Sequence, residues 1–202
     1  MRLGYTLLGL ALLAGCSDSP KTVAEKKEPP KQLEPLTGRQ AFQQMYIGAR
    51  QWAPDCQPLK LNNIPLAEVK APKGKSGAWQ CVFVSQSLGK VKTYSWSAIE
   101  AEGNLHKGVF AGQDESYSPS RQDHPFLIAA IRTDSDEAYT EAAAKAEEYL
   151  GKNPDKPVNF ALEQTPRFPD LAWRIFWGES ISTSEYTVFV DATTGKFLER
   201  IR

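Results

Sequence analysis

Apolar residues recur along this chain with two different periods, and the switch between them divides it into elements. In "TGRQAFQQMYIGARQWAPD", residues 37–55, Ala41, Met45, Ala49 and Trp52 fall three or four positions apart and line one face of a helix. The same spacing returns in "DSDEAYTEAAAKAEEYLGKNPD", residues 134–155, through Ala138, Ala142, Ala146 and Tyr149. Each segment opens with a side-chain oxygen acceptor, Thr37 or Asp134, followed three residues later by Gln40 or Glu137, the pattern of a capping box. Each stops near a breaker, Pro54 in the first, Gly151 and Pro154 in the second. Elsewhere the period drops to two. Trp79, Cys81 and Phe83 share one side opposite Gln80, and Trp173, Ile175 and Trp177 share one side opposite Arg174 and Phe176. These runs predict pairs of antiparallel strands joined by polar turns, with a further strand ahead of each pair, at 59–69 and 158–164.

The two sets of elements are copies of one another. At an offset of 97, Thr37 meets Asp134, Gln40 meets Glu137, Phe42 meets Tyr139 and Trp52 meets Tyr149; further on, with shorter loops in the second copy, Trp79 meets Trp173 at an offset of 94, and Tyr94 meets Tyr186 and Gly103 meets Gly195 at 92. The expected fold is therefore α+β, with two tandem repeats, each a helix packed on an antiparallel sheet of about four strands. The first repeat spans 37–110, a linker 111–133, and the second repeat 134–202. A unit of some 70 residues buries too little apolar surface to be stable alone, so the two are expected to pack together. In the linker a polar loop gives way to an apolar run, 125–131, that adds a strand or buries against the second helix.

"EYTVFVDATTGKFL" resembles the closing hairpin of PepSY domains, and "DSDEAYTEAAAKAEEYL" resembles their opening helix. The likeness covers 134–202 well and 37–110 more loosely, since Ile99 stands where the second copy has Asp191. It implies a helix on a curved antiparallel sheet, and the tandem pair is similar to the β-lactamase inhibitor proteins and their relatives. Those relatives are mostly non-catalytic, act by binding proteins, often peptidases, and include envelope-assembly lipoproteins. The resemblance thus implies inhibition or chaperoning of a periplasmic or exported enzyme. An assembly role at the outer membrane and a small-ligand carrier stand as alternatives. Within the hairpin, Asp191, Thr193, Thr194 and Gly195 read as a turn, with Asp191 accepting backbone N–H bonds and Gly195 supplying positive φ.

The first fifteen residues carry Arg2, an apolar run and small residues ahead of Cys16, a signal-peptide pattern. Leu13, Ala14, Gly15 and Cys16 resemble the lipobox of bacterial lipoproteins, which implies cleavage before Cys16 and its modification with palmitate-type acyl chains. Two or more chains anchor a protein stably to a membrane. Ser17, rather than an aspartate, follows the anchor, which favours the periplasmic leaflet of the outer membrane in a diderm cell. Residues 16–36 are rich in proline, lysine and glutamate and read as a tether.

Lysine and arginine number 24 against 24 aspartates and glutamates, a net charge of zero that gives no footprint for nucleic acid. Cys56 and Cys81 remain after the lipid anchor, an even pair in an exported chain, and are expected to form a disulfide; the alternative is two separate buried thiols. His106 and His124 lack partners at metal-binding spacing, and no nucleophile elbow or phosphate loop is present. No metal, cofactor or catalytic residue is expected. Arg174, Phe176 and Phe189 fall on the sheet face turned away from the helices and form the candidate surface for a protein partner, unless the linker or the sheets themselves cover it.

Overall fold

The computed structural model describes residues 33–120 and 124–201. Cys16, the signal segment and most of the tether lie outside the described residues.

The chain is α+β, built on one large antiparallel sheet with a few helices on one side. Helix α1 (Gly38–Trp52) is followed by strands β2 (Gln57–Ile64), β4 (Ala78–Ser85), β5 (Lys90–Ser97) and β6 (Gly108–Ser116). Helices α2 (Ser135–Lys145) and α3 (Glu147–Lys152) precede β7 (Val158–Thr165), β8 (Phe168–Trp177), β9 (Tyr186–Asp191) and β10 (Phe197–Ile201). Two short strands, β1 (Leu36–Thr37) and β3 (Lys75–Ser76), pair beside α1. The eight longer strands form a sheet in the order β10-β9-β8-β7-β2-β4-β5-β6. β2 and β7 meet at its centre, with Leu61 opposite Leu162.

Both capping boxes form as the spacing predicts: Thr37 Oγ1 accepts from Gln40 N while Gln40 Oε1 accepts from Thr37 N, and Asp134 N donates to Glu137 Oε2 at 2.9 Å. The two helices also share a cap. The buried carboxylate of Asp134 takes bonds from Ser135 N (2.7 Å) at its own helix and from Arg39 N (2.9 Å) and Thr37 Oγ1 (2.6 Å) at the other. In return, Gly38 N donates to Ser135 Oγ at 2.8 Å. Approach this close requires Gly38, because a Cβ there would lie 2.5 Å from the Trp173 ring. Beneath the junction, Trp79 and Trp173 meet edge to face at 6.4 Å, and each indole N–H bonds the backbone just ahead of a helix, Leu36 O or Thr133 O.

Three boundaries differ from the expected ones. β2 ends at Ile64, because Pro65 has no N–H to continue the ladder, instead of running to residue 69. The second helix slips at Ala146, whose N–H bonds Ala143 O, and so divides into α2 and α3. β6 extends through Ser116, beyond the expected end of the first unit at 110. It is held there by Asp114, which pairs with Lys92 Nζ at 2.7 Å and accepts from Trp52 Nε1. The apolar stretch of the linker does not add a strand. Phe126 is buried, and Arg132 N and Thr133 N donate to Ala192 O, which fastens the linker to the Asp191 turn.

The disulfide expectation is corrected: Cys56 and Cys81 are free, buried thiols. The register supplies the reason. Cys81 faces Leu61, whereas Cys56 precedes Gln57, which faces Val84. The two residues are therefore not cross-strand partners, although both thiols lie in the same core cluster. Burial pushes the Cys56 thiol up, and burial together with the nearby Cys56 pushes Cys81 well above the usual thiol range.

Two outcomes follow from this packing. Asp134→Ala removes a cap from both helices and is expected to lower stability by about 2–4 kcal/mol in urea unfolding, with Asp134→Asn retaining part of it; a change below about 0.5 kcal/mol would contradict the shared cap. In the native state neither thiol is expected to react with maleimide at pH 8, and both should be labelled in 8 M urea without reductant, on the order of the exposure expected of a full unfolding.

Candidate protein-binding face

Alternation along the strands gives the sheet two unlike faces. Trp79, Cys81, Trp96, Trp173, Ile175, Trp177, Val188 and Val190 point toward the helices and make the core with Ala41, Met45, Ala138 and Ala142. The residues between them form the outer face. In the second half these are Arg174, Phe176, Thr187 and Phe189, which the register brings side by side: Arg174 lies opposite Phe189, and Phe176 opposite Thr187.

The three predicted site residues do come together, but they are not open to a partner. Phe176 is 6% and Phe189 2% exposed. The tip of the β7–β8 hairpin curls over them, setting the Phe168 ring 4.8 Å from that of Phe189. It is held by Arg167, whose Nε donates to Glu199 at 2.8 Å. The Arg174 guanidinium stacks 4.9 Å above Phe189 and pairs with Glu163 at 3.3 Å, and Glu163 is shared with Lys60 at the same distance. Beyond Phe176, Glu179 and Ile181 of the β8–β9 loop line a cavity of about 250 Å³ with it. The expectation of an open aromatic face at Arg174, Phe176 and Phe189 is thereby corrected: sheet coiling folds a hairpin tip onto it.

The Asp191 turn is as predicted. Thr193 N and Thr194 N donate to Asp191 Oδ1 at 2.8 and 2.6 Å, and Gly195 adopts φ 72°. Among the described residues no group of three His, Cys, Asp or Glu side chains could hold a metal ion. His106 lies 2.6 Å from Glu100, whose carboxyl is held below its usual range by bonds from Lys107 N and His106.

The open surface lies in the first half, where sequence reading did not place it. There the outer face carries Gln80, Thr93, Ser95 and Phe110, with Gln80 opposite Ser95 and Ser95 opposite Phe110. Val109 and Phe110 are 43% and 37% exposed. β6 is the last strand of the sheet, and among the described residues only β5 pairs with it. The 101–105 turn, closed by Ala101 N on Leu105 O, stands over this face and leaves a cavity of about 360 Å³ beneath it. The only signal in the sequence was the apolar pair Val109-Phe110 following a Gly-Asn turn.

No family model and no curated protein matches the chain. Its fold is similar to the crystal structure of a candidate lipoprotein, CD1622, from Clostridium difficile 630. The two are 14% identical with a TM-score of 0.49, and the match covers 80% of this chain and 91% of the other. No helix among the described residues is long and apolar enough to cross a membrane.

Because Phe189 packs within the fold, Phe189→Ala is expected to cost about 3 kcal/mol of unfolding free energy, the scale of a buried aromatic truncation. A neutral result in urea unfolding would instead mark it as a surface residue.

Proposed function

We propose that this chain is a non-catalytic, lipid-anchored protein of the bacterial envelope that works by binding another protein, inhibiting or chaperoning a periplasmic or exported enzyme such as a peptidase. The observation that carries the reading is the edge strand β6. Its outer edge has no strand neighbour among the described residues, and the half from Gly108 to Ala111 has no charge or proline to discourage pairing. Exposed Val109 and Phe110 lie along it. An extended segment of a partner adds to such an edge through main-chain hydrogen bonds, with flanking side chains supplying specificity.

The anchor rests on the lipobox-like residues at Leu13–Cys16, and the favoured site is the periplasmic face of the outer membrane. The tether, residues 16–36, gives the folded part reach from that surface. The tandem PepSY-like reading, with units at 37–110 and 134–202, draws support from matched bonds. Trp79 and Trp173 bond equivalent backbone positions, and so do Tyr94, on Gly48 O, and Tyr186, on Lys145 O. A specific observation favours a second reading. Burial of Phe176 and Phe189 removes one open surface and suits an assembly role at the outer membrane.

Cys16→Ala is expected to abolish incorporation of labelled palmitate and to move the protein from the membrane to the soluble fraction; retention in the membrane would overturn the lipid anchor. A photo-crosslinking residue at Phe110, introduced in the native host, should capture one protein in stoichiometric yield, while the same residue at exposed Ile47 on α1 should not. An exported enzyme at Phe110 supports inhibition or chaperoning, assembly machinery supports the second reading, and recovery of the monomer alone at both positions would overturn a partner at β6.

A further inference from the structure

The cavity under the 101–105 turn has a chemistry of its own. Its floor is the outer face of β4 and β5, where Gln80, Thr93 and Ser95 project between ladders whose backbone groups are already paired. Asn104, in a left-handed conformation at φ 60°, adds a second amide from the turn. None of these four side chains has a hydrogen-bond partner among the described residues; Asn104 is exposed and Gln80 and Thr93 are half-buried, so their polar atoms are open to water or a ligand. Together they offer two carboxamides and two hydroxyls, each able both to donate and to accept.

The walls are apolar. Leu105 is buried against the face, and the Phe110 ring flanks the opening, steadied by His106 at 4.4 Å between ring centroids. The single charged group in the lining is Glu102, exposed at the rim, so an anion is repelled and nothing neutralises a phosphate or carboxylate. A volume of about 360 Å³ suits a small molecule or one or two units of a polymer.

The occupant such a lining fits is uncharged, dense in hydroxyl or amide groups along its edges and apolar across its faces. An extended peptide is recognised mainly through the backbone groups of a strand edge, whereas the floor of this recess offers side chains from β4 and β5, strands with a neighbour on both sides. We infer that the recess is a binding site for a neutral saccharide, with Gln80, Thr93, Ser95 and Asn104 bonding its hydroxyl or acetamido groups and Phe110 packing on the face of a sugar ring. The recess shares Phe110 with the proposed partner edge of β6, but its polar lining lies on β4, β5 and the 101–105 turn, so either kind of binding could exist without the other.

The test is a nuclear magnetic resonance titration of the full chain carrying Cys16→Ala, with chitotetraose, maltotetraose and an uncharged tetrapeptide as separate probes. Saturable shifts at the amides of Gln80, Ser95 and Phe110 with either sugar, and none with the peptide, are expected. The sugar that binds distinguishes an acetamido-bearing glycan from a plain glucan. Gln80→Leu, and independently the surface change Phe110→Ala, should each weaken the affinity roughly tenfold, the effect of one lost contact of about 1.4 kcal/mol. Phe110→Ala lies on an exposed edge, which keeps the test valid if Gln80→Leu fails to fold. Absence of shifts with both sugars, shifts elsewhere, binding of the peptide alone, or affinity unchanged by Phe110→Ala would each overturn the assignment.

Discussion

One buried carboxylate sets the geometry on which the rest depends. Asp134 accepts hydrogen bonds from two helix N-termini at once, and both positive helix ends fall on the same negative charge. A charge removed from water is costly unless donors surround it, and here two backbone N–H groups and the Thr37 hydroxyl do so. The same contact fixes where α1 and α2 begin relative to one another. It thereby decides which face of the sheet they cover and which is left for other uses.

The junction is reinforced by a pattern of bonds that repeats. Thr37 and Asp134, the two caps that touch, are 97 residues apart, the offset at which the two helices align. Trp79 and Trp173 each reach the backbone just ahead of a helix, and Tyr94 and Tyr186 each reach a carbonyl near a helix end. At the centre of the sheet Leu61 faces Leu162, and the strand order reads outward from that pair in the same way on both sides. Each half closes its sheet edge on the other, so neither has to leave its first strand unpaired.

Much of this was legible because it is local. Capping boxes depend on residues three apart, helix faces on a period near 3.6 and strand faces on a period of two; Thr37 with Gln40, Ala41 with Met45, and Trp173 with Ile175 carry those signals directly. The Asp191 turn was readable for the same reason. What stayed hidden depends on how strands coil and slide. Whether Phe189 faces solvent is decided by Phe168, twenty-one residues earlier in the chain, curling back across the sheet. The disulfide failed on register, since Leu61 rather than Cys56 came to lie opposite Cys81. The slip at Ala146 has no marker, because Ala143 and Ala146 both sit well in an unbroken helix.

The outer faces of the two halves then follow from what each has to bury. Aligning Trp79 with Trp173 and Tyr94 with Tyr186 sets Gln80 against Arg174, Val82 against Phe176, Ser95 against Thr187 and Ser97 against Phe189. A face bearing two phenylalanines gains from any cover, and the β7–β8 hairpin tip supplies it, locked by Arg167 on Glu199 and by Arg174 between Glu163 and Phe189. A face of amide and hydroxyl groups gains less from being dried, because the Gln80, Thr93 and Ser95 side chains find no bond among the described residues to replace water, whereas Ser97 finds one on Ile99 O. The turn over the first half therefore stands off from the sheet instead of collapsing onto it, and the recess of about 360 Å³ persists. The second half thus covers its outer face, while the first keeps polar groups, an exposed aromatic and, among the described residues, an unpaired strand edge at its surface.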